Sequence, residues 1–496
     1  MSLIKPVSAL QRSLLSCCVT AALTLGLATA SAENFELPEL GSASSVVMTP
    51  AQEKRLGQAF MRNIKASEKI IEEPFARDYI ERLGKKLAQS SGEQGTNDFH
   101  FFIVDNPRIN AFAGPGGHIG IFSGLMLTTQ SESELAAVLA HEIAHVTQRH
   151  LMRAFHQASQ LSVPSAAVLL AAVILGAAVG GDAAIATAAT GQALLIQKQI
   201  NFTRSNEKEA DRVGINILAE SNFDTRAMPV FFERMGRATR TYATELPEFL
   251  RTHPVTTNRI ADSLSRAEQH PYRQHRDNLH YHLVKNLIRQ KTFPNAKEAE
   301  KYFSTNLLEG RYSNKLSEHF GLALSLIEQR RYTDARTQVD ILLREKPEEV
   351  VFIILDARLL SLINKTPKAI SSLEDSQTLF PDNYILNMEL ADLYIKNSQY
   401  EDAVSLLKLI TLIRPLDDLI YKQLAIAAGK QKDLVAAHAY QSEYLYLNGQ
   451  VEPAIQQLEI ALRQENIDFY LSSKLEARLQ ALKYEFKLLK DEKNKK

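Results

Sequence analysis

Three positions recur every 34 residues in the C-terminal third of the chain. Ala323, Ala357, Ala391 and Ala425 occupy the first, and Ala335, Ala369, Ala403 and Ala437 the second. Pro347, Pro381 and Pro415 occupy the third, with Gly449 at the next step. A fixed period of this length predicts stacked helix pairs. Small residues let paired helices approach closely, proline ends the second helix, and no pair can bury its apolar face without a neighbour. Tyr332 and Tyr400 keep the same phase, as does Tyr394 with Leu326 and Leu360. The reading is an α-helical solenoid over 315–496. It continues less regularly around 437–464, with Ala454 and Ala461, and ends in a helix at about 470–490.

This pattern resembles the tetratricopeptide repeat. The preceding sequence is punctuated differently. Residues 50–92 read as two amphipathic helices, with Leu56, Phe60 and Ile64 and then Tyr79, Leu83 and Leu87 at helical spacing. Phe99 to Val104 reads as a strand. In "INAFAGPGGHIGIFSG" two apolar flanks surround a Gly-Pro centre, the mark of a hairpin or of a strand beside a tight loop. A helix opens next, with Ser131 and Glu134 fitting a capping box and Leu135, Val138, Leu139, Ile143 and Val146 forming its stripe. Helical sequence returns at 203–220 and 224–240. Residues 265–300 are polar and are expected to link or cap. The fold class is mostly α (α+β), with a small β-sheet domain at 33–268, linker or capping helices at 269–314 and the solenoid at 315–496.

Residues 1–32 read as an export signal. Lys5 and Arg12 form a positive start, Leu14 to Leu27 an apolar core, and Ala30-Ser31-Ala32 a small-x-small cleavage site. Cleavage there would remove Cys17 and Cys18, the two cysteines of the chain, and leave 55 basic against 57 acidic side chains. A near-neutral mature chain has no basic excess for nucleic acid, and without cysteine it has neither disulfides nor a Cys-ligated zinc site. One stretch stands apart. Residues 161–198 carry no charge until Asp182 and are rich in alanine. They are borderline in length for a membrane span. A buried or interfacial helical hairpin is the favoured reading, and its role as a lid or membrane contact stays open.

His141-Glu142-Ile143-Ala144-His145 matches HExxH. On a helix, residues i and i+4 share a face, so both imidazoles can reach one zinc ion. Glu142 lies about 100° round the helix from His141. It stands beside the ion, where it can take a proton from a bound water. Gln148 and Leu151 occupy the places where a metzincin has Gly and His, so that class is excluded. His150, five residues beyond His145, falls off the ligand face, either in solvent or behind the ligands. A third ligand should lie downstream, and "NEKEADRVG" offers Glu207, Glu209 and Asp211. Glu207 and Asp211 share a face at i,i+4. The spacing favours Glu207 as ligand and Asp211 as the acceptor of a ligand imidazole N–H, against a plain acidic, solvent-facing helix start.

HEIAH followed by a distant E-x-x-x-D resembles the Ste24/HtpX-type family of zinc metallopeptidases. His253, Pro254 and Arg259 in "THPVTTNRI" match a downstream element of that family, and "NAFAGPGG" resembles the strand beside its active site. Together with the tetratricopeptide-like repeats, the resemblance covers essentially the whole mature chain. It implies a zincin-like metallopeptidase domain and a zinc endopeptidase with one ion per subunit. His141, His145 and Glu207 would be ligands and Glu142 the general base. His253 would be a fourth ligand in an autoinhibited resting form or a contact to the transition state. Arg259 would orient His253 or an acid such as Asp211. Asn110, Ala111, Phe112 and Ala113 could pair with an extended substrate by β-addition.

Joined to an export signal and helical repeats, this resemblance implies a periplasmic factor. It would promote assembly of outer-membrane β-barrel proteins, including the lipopolysaccharide-transport barrel, and degrade stalled ones. Unfolded barrel proteins would be substrates, and the assembly machinery would meet the repeats, with peripheral membrane contact as a further option. Two other readings stay open: a membrane-associated quality-control protease, and a repeat-based docking or chaperone module with latent proteolysis.

Overall fold

The computed structural model describes residues 49–92, 99–157, 204–241, 247–464 and 467–494. The expected export signal and the whole of the alanine-rich 161–198 stretch lie outside them. Among the described residues no helix is long and apolar enough to cross a membrane.

Helix α1 (Pro50–Ser67) starts at Thr49, whose side chain accepts the Gln52 N–H while Gln52 returns to the Thr49 N–H, a closed capping box. Helix α2 (Pro74–Gln89) follows. The sheet has three strands, β1 (His100–Val104), β2 (Ala111–Ala113) and β3 (His118–Phe122), in the order β1-β3-β2. β2 and β3 are the antiparallel hairpin expected around the Gly-Pro centre, and β1 pairs with β3 in parallel. A 3-10 turn at Pro115–Gly117 joins the hairpin, with Gly116 and Gly117 at φ of 68° and 71°. Side chains rarely adopt that conformation. Gly57 of α1 sits against this turn, where a Cβ would come within 2.7 Å of the Pro115 carbonyl.

Helix α3 (Ser123–Thr128) leads into α4 (Glu132–Thr147), which carries HEIAH and is buried along nearly its whole length. Ser131 accepts the Glu134 N–H at 3.2 Å, but the expected capping box is only half made. The Glu134 carboxylate accepts the Gln130 N–H instead and pairs with Arg234, whose cation draws it away from Ser131. Helix α5 (His150–Gln157) follows a sharp break. Helix α6 (Arg204–Glu220) runs against α4. Gly214 allows that approach, because a Cβ there would lie 3.2 Å from the His141 backbone nitrogen. Helices α7 (Ala227–Thr241), α8 (Glu248–Thr252) and α9 (Thr257–Ala267) complete the domain.

Residues 269–314 hold a helix pair, α10 (Leu279–Thr292) and α11 (Ala296–Glu309). α10 buries Tyr281, Leu283, Val284, Leu287 and Ile288 and packs on α2, α3 and α12 (Lys315–Glu328). The Tyr281 hydroxyl donates to the Thr129 carbonyl at 3.0 Å. One apolar cluster therefore runs unbroken from α2 and α4 into the repeats.

The repeat pairs are α12 with α13 (Tyr332–Glu345), α14 (Val350–Leu362) with α15 (Thr366–Leu379), α16 (Tyr384–Lys396) with α17 (Tyr400–Ile413), and α18 (Asp418–Lys430) with α19 (Leu434–Leu447). Helices α20 (Val451–Leu462) and α21 (Phe469–Asn494) end the array. Ala323, Ala357, Ala391, Ala335, Ala369 and Ala403 are fully buried between paired helices, as the 34-residue period requires. The solenoid also grips the N-terminal domain through charge. Arg77 of α2 meets Asp418 at 3.0 Å and Asp417 at 3.5 Å, Lys65 of α1 meets Asp418 at 3.3 Å, and Arg358 of α14 meets Glu73 at 3.0 Å.

Candidate metal centre

α4 brings His141 and His145 to one face, as i,i+4 spacing dictates, with their Nε2 atoms 3.0 Å apart. α6 supplies Glu207, whose oxygens lie 3.5 Å from each of those nitrogens. His253 caps the C-terminus of the short helix α8. Its Nδ1 lies 3.3 Å from His141 Nε2 and 3.1 Å from Glu207 Oε1. All four side chains are buried, and their facing atoms lie within 4.8 Å of one another.

This geometry suits a metal ion. Zinc takes nitrogen and oxygen ligands at about 2.0–2.1 Å, which sets tetrahedral donors roughly 3.3–3.4 Å apart. Five of the donor separations, 3.0–3.5 Å, bracket that edge, within a set that spans up to 4.8 Å. Three nitrogens and a carboxylate in a buried pocket form a donor set suited to zinc.

The electrostatics keep Glu207 ionised and His145 neutral, the forms that bind metal, whereas His141 must release a proton to do so. Burial works against ionising Glu207, yet His253 and His141 hold its carboxyl well below the usual range. Burial depresses His141 as well, but Asp211 and Glu207 reverse this and lift it to about 9. His145 has burial and His141 acting in one direction and stays well below the ordinary imidazole value. Glu142 stands beside the donors. Burial raises its carboxyl, and neither oxygen has a hydrogen bond of normal geometry. Its nearest partners are His253 Nε2 at 3.5 Å and the backbone N–H of Ala113 on β2. A carboxylate that burial destabilises is disposed to take a proton.

Behind the donors lies a buried frame. Asp211 Oδ1 is 3.0 Å from His141 Nδ1, the nitrogen facing away from the cluster. Arg259 grips Asp211 bidentately, with Nε and Nη2 each donating at 2.8 Å. Its Nη1 reaches Glu207 at 2.8 Å and the Pro254 carbonyl at 2.9 Å. Arg259 therefore holds both acids directly and touches the His253 segment through the Pro254 carbonyl. Phe232 lies under the Arg259 guanidinium, and Phe249 packs against the His253 ring. Composition gave no signal for either aromatic. Asn110 to Ala113 lie on and beside β2, which is an edge of the sheet and packs on α4. His150 is fully buried and directed at His145, while Glu209 meets His150 and Arg153.

Comparison with known proteins follows the same lines. A model of Peptidase family M48 matches residues 74–267, and a tetratricopeptide-repeat model matches 364–427. The beta-barrel assembly-enhancing protease of Escherichia coli strain K12 is 31% identical over 473 residues, covering 93% of this chain and 95% of that protein. A Vibrio cholerae protein provisionally given the same name is 34% identical over 472 residues, covering 95% and 96%. The mitochondrial metalloendopeptidase OMA1 of Danio rerio is 31% identical over 241 residues, covering 45% and 48%.

Proposed function

Since the chain belongs to the family of the β-barrel assembly-enhancing proteases, metal-dependent peptidases of the M48 type with tetratricopeptide repeats, we propose that it is a zinc endopeptidase of the periplasm that promotes assembly of outer-membrane β-barrel proteins, the lipopolysaccharide-transport barrel among them, and degrades misassembled ones. The observation that carries this reading is the buried set of four donors within 4.8 Å of one another, with Glu142 beside it.

His141, His145 and Glu207 would hold the zinc, with His253 as a further donor at rest. Bound zinc supplies a Lewis acid that lowers the pKa of water towards neutrality. Glu142 takes a proton from the attacking water and returns it to the leaving amine. Asp211 accepts from His141 Nδ1–H and fixes that ring, and Arg259 keeps Asp211 and Glu207 ionised and in place. His253 must swing aside before a water and a substrate carbonyl can enter. β2, at the sheet edge beside Glu142, receives an extended substrate strand. That suits unfolded barrel segments, whose edges are unpaired. The repeats present a surface to the assembly machinery.

Glu142→Gln tests the chemistry, with zinc retained and peptide cleavage lost. Glu207→Gln should lose the zinc, read as metal content. Full zinc in the Glu207→Gln variant, or normal cleavage by Glu142→Gln, rejects the assignment. A Glu142→Gln chain that supports barrel assembly as well as the parent puts the work in the repeats.

A further inference from the structure

Helix α4 stops at Thr147, and Arg149 takes a left-handed conformation, φ 53°, before α5 begins at His150. On a continuous helix a residue five places beyond His145 points roughly 140° away from it. The left-handed residue cancels that divergence and folds His150 back onto the α4 face. Its imidazole is fully buried, with Nδ1 2.7 Å from His145 Nδ1. Its other nitrogen lies 3.1 Å from Glu209 Oε2, and the same oxygen accepts from Arg153 at 2.9 Å.

We propose that His150 is the positioning residue for the second metal-ligand histidine, accepting the His145 Nδ1–H and donating its own Nε2–H to Glu209. The inference rests on the zinc reading above. Given that reading, the tautomers follow in one direction. His145 faces the other donors through Nε2, so its proton is on Nδ1. The sole proton of a neutral His150 must then be on Nε2, where a carboxylate waits. Glu209, anchored by Arg153, selects the His150 tautomer that can accept from His145. The two ligand imidazoles of α4 are thus held by different means: His141 by a buried carboxylate, and His145 by an imidazole backed by a half-exposed one.

Outer partners of this kind set ring orientation, and their loss costs about 10- to 100-fold in metal affinity. The test is zinc affinity of the mature full-length chain, read by competition with a chromophoric chelator, in four variants. Asn places its Oδ1 near the position of the histidine Nδ1 and keeps an acceptor for His145. Gln moves its amide to the far end and leaves a methylene there. His150→Gln should bind zinc at least tenfold more weakly, and His150→Asn should recover most of the loss. Glu209→Ala, at a half-exposed position that folding tolerates, should weaken binding about threefold or more. Arg153→Ala should have a smaller effect in the same direction. The visible ligand-field absorption of the cobalt(II)-loaded protein should change in His150→Gln and return in His150→Asn, which a purely structural role would not produce. A His150→Gln variant within twofold of the parent overturns the inference, as does His150→Asn as weak as His150→Gln, or Glu209→Ala equal to the parent. A parent that binds no zinc overturns the metal reading and this inference with it.

Discussion

Asp418 opens helix α18 and accepts from two peptidase cations, Arg77 at 3.0 Å and Lys65 at 3.3 Å. Burial pushes against its ionisation, but Arg77, Lys65 and the Asn448 amide hold its carboxyl at about 2, against an ordinary 3.8. Each pKa unit is worth about 1.4 kcal/mol, so the charged form stabilises the folded chain by roughly 2 kcal/mol at pH 7. Asp418→Asn should lose that amount. Breaking a fully buried pair costs about 3–5 kcal/mol, but here Asp417 stays 3.5 Å from Arg77 and spares it from standing unpaired, which favours the lower figure. The folded-state pKa is depressed, so the stabilisation is complete above the unfolded value and is lost as pH falls from 3.8 through 2. By pH 3 roughly half of the difference between parent and variant should be gone. The chain has no tryptophan, so urea unfolding is best followed by circular dichroism, at pH 7 and pH 3. A variant within ~0.5 kcal/mol of the parent at pH 7 would refute the reasoning, as would a gap of the same size at pH 3.

Three further outcomes follow from the site. Gly214→Val should destabilise by about 1–3 kcal/mol and lower zinc content, because the new side chain meets the backbone of Ala140 and His141, which cannot move aside as the Met228 tip can; thermal unfolding with metal analysis reads both. Arg259→Gln should cost roughly 3–5 kcal/mol by leaving Asp211 and Glu207 buried without their cation, and Arg259→Lys should recover only part because one ammonium cannot replace the bidentate grip; denaturant unfolding gives the difference. His253→Ala should cleave casein faster than the parent, and equal rates would count against His253 as the resting fourth donor.

The parts of the molecule legible in the sequence are those whose period is local. Alanines 34 residues apart mark the buried helix contacts of the solenoid because every pair repeats the same packing. HEIAH places two imidazoles together because helical geometry requires it. Glu207 and Asp211 were accessible through the same i,i+4 rule, although α6 lies some sixty residues downstream. What escaped was set by distance or by a single backbone angle. Glu134 looked like half of a capping box, and its actual partner, Arg234, is 100 residues away. Helices were expected at 269–314, but the polar composition of 265–300 gave no sign of the apolar face that α10 buries. The contacts of Lys65 and Arg77 with Asp418 span 353 and 341 residues, and no pattern in either segment announces them.

The backbone angle that aims His150 is also the one that builds the solenoid. Non-glycine residues with positive φ occur at Arg330, Asn364, Ser398 and Lys432, again 34 residues apart, each between the two helices of a repeat. One left-handed residue there reverses the chain tightly enough for the second helix to fold onto the first, at a local cost of about 1–2 kcal/mol. Packing of the alanine positions on both sides offsets it. Arg149 performs the same operation once, after α4, where the returning element brings an imidazole rather than an alanine. In the repeats the turn produces apolar contact, so any small residue at the packing position would serve. At α4 it produces a hydrogen bond to a candidate metal ligand, and the identity of residue 150 becomes chemical. A conformation that is architectural in one half of the chain is therefore part of the candidate metal-site geometry in the other.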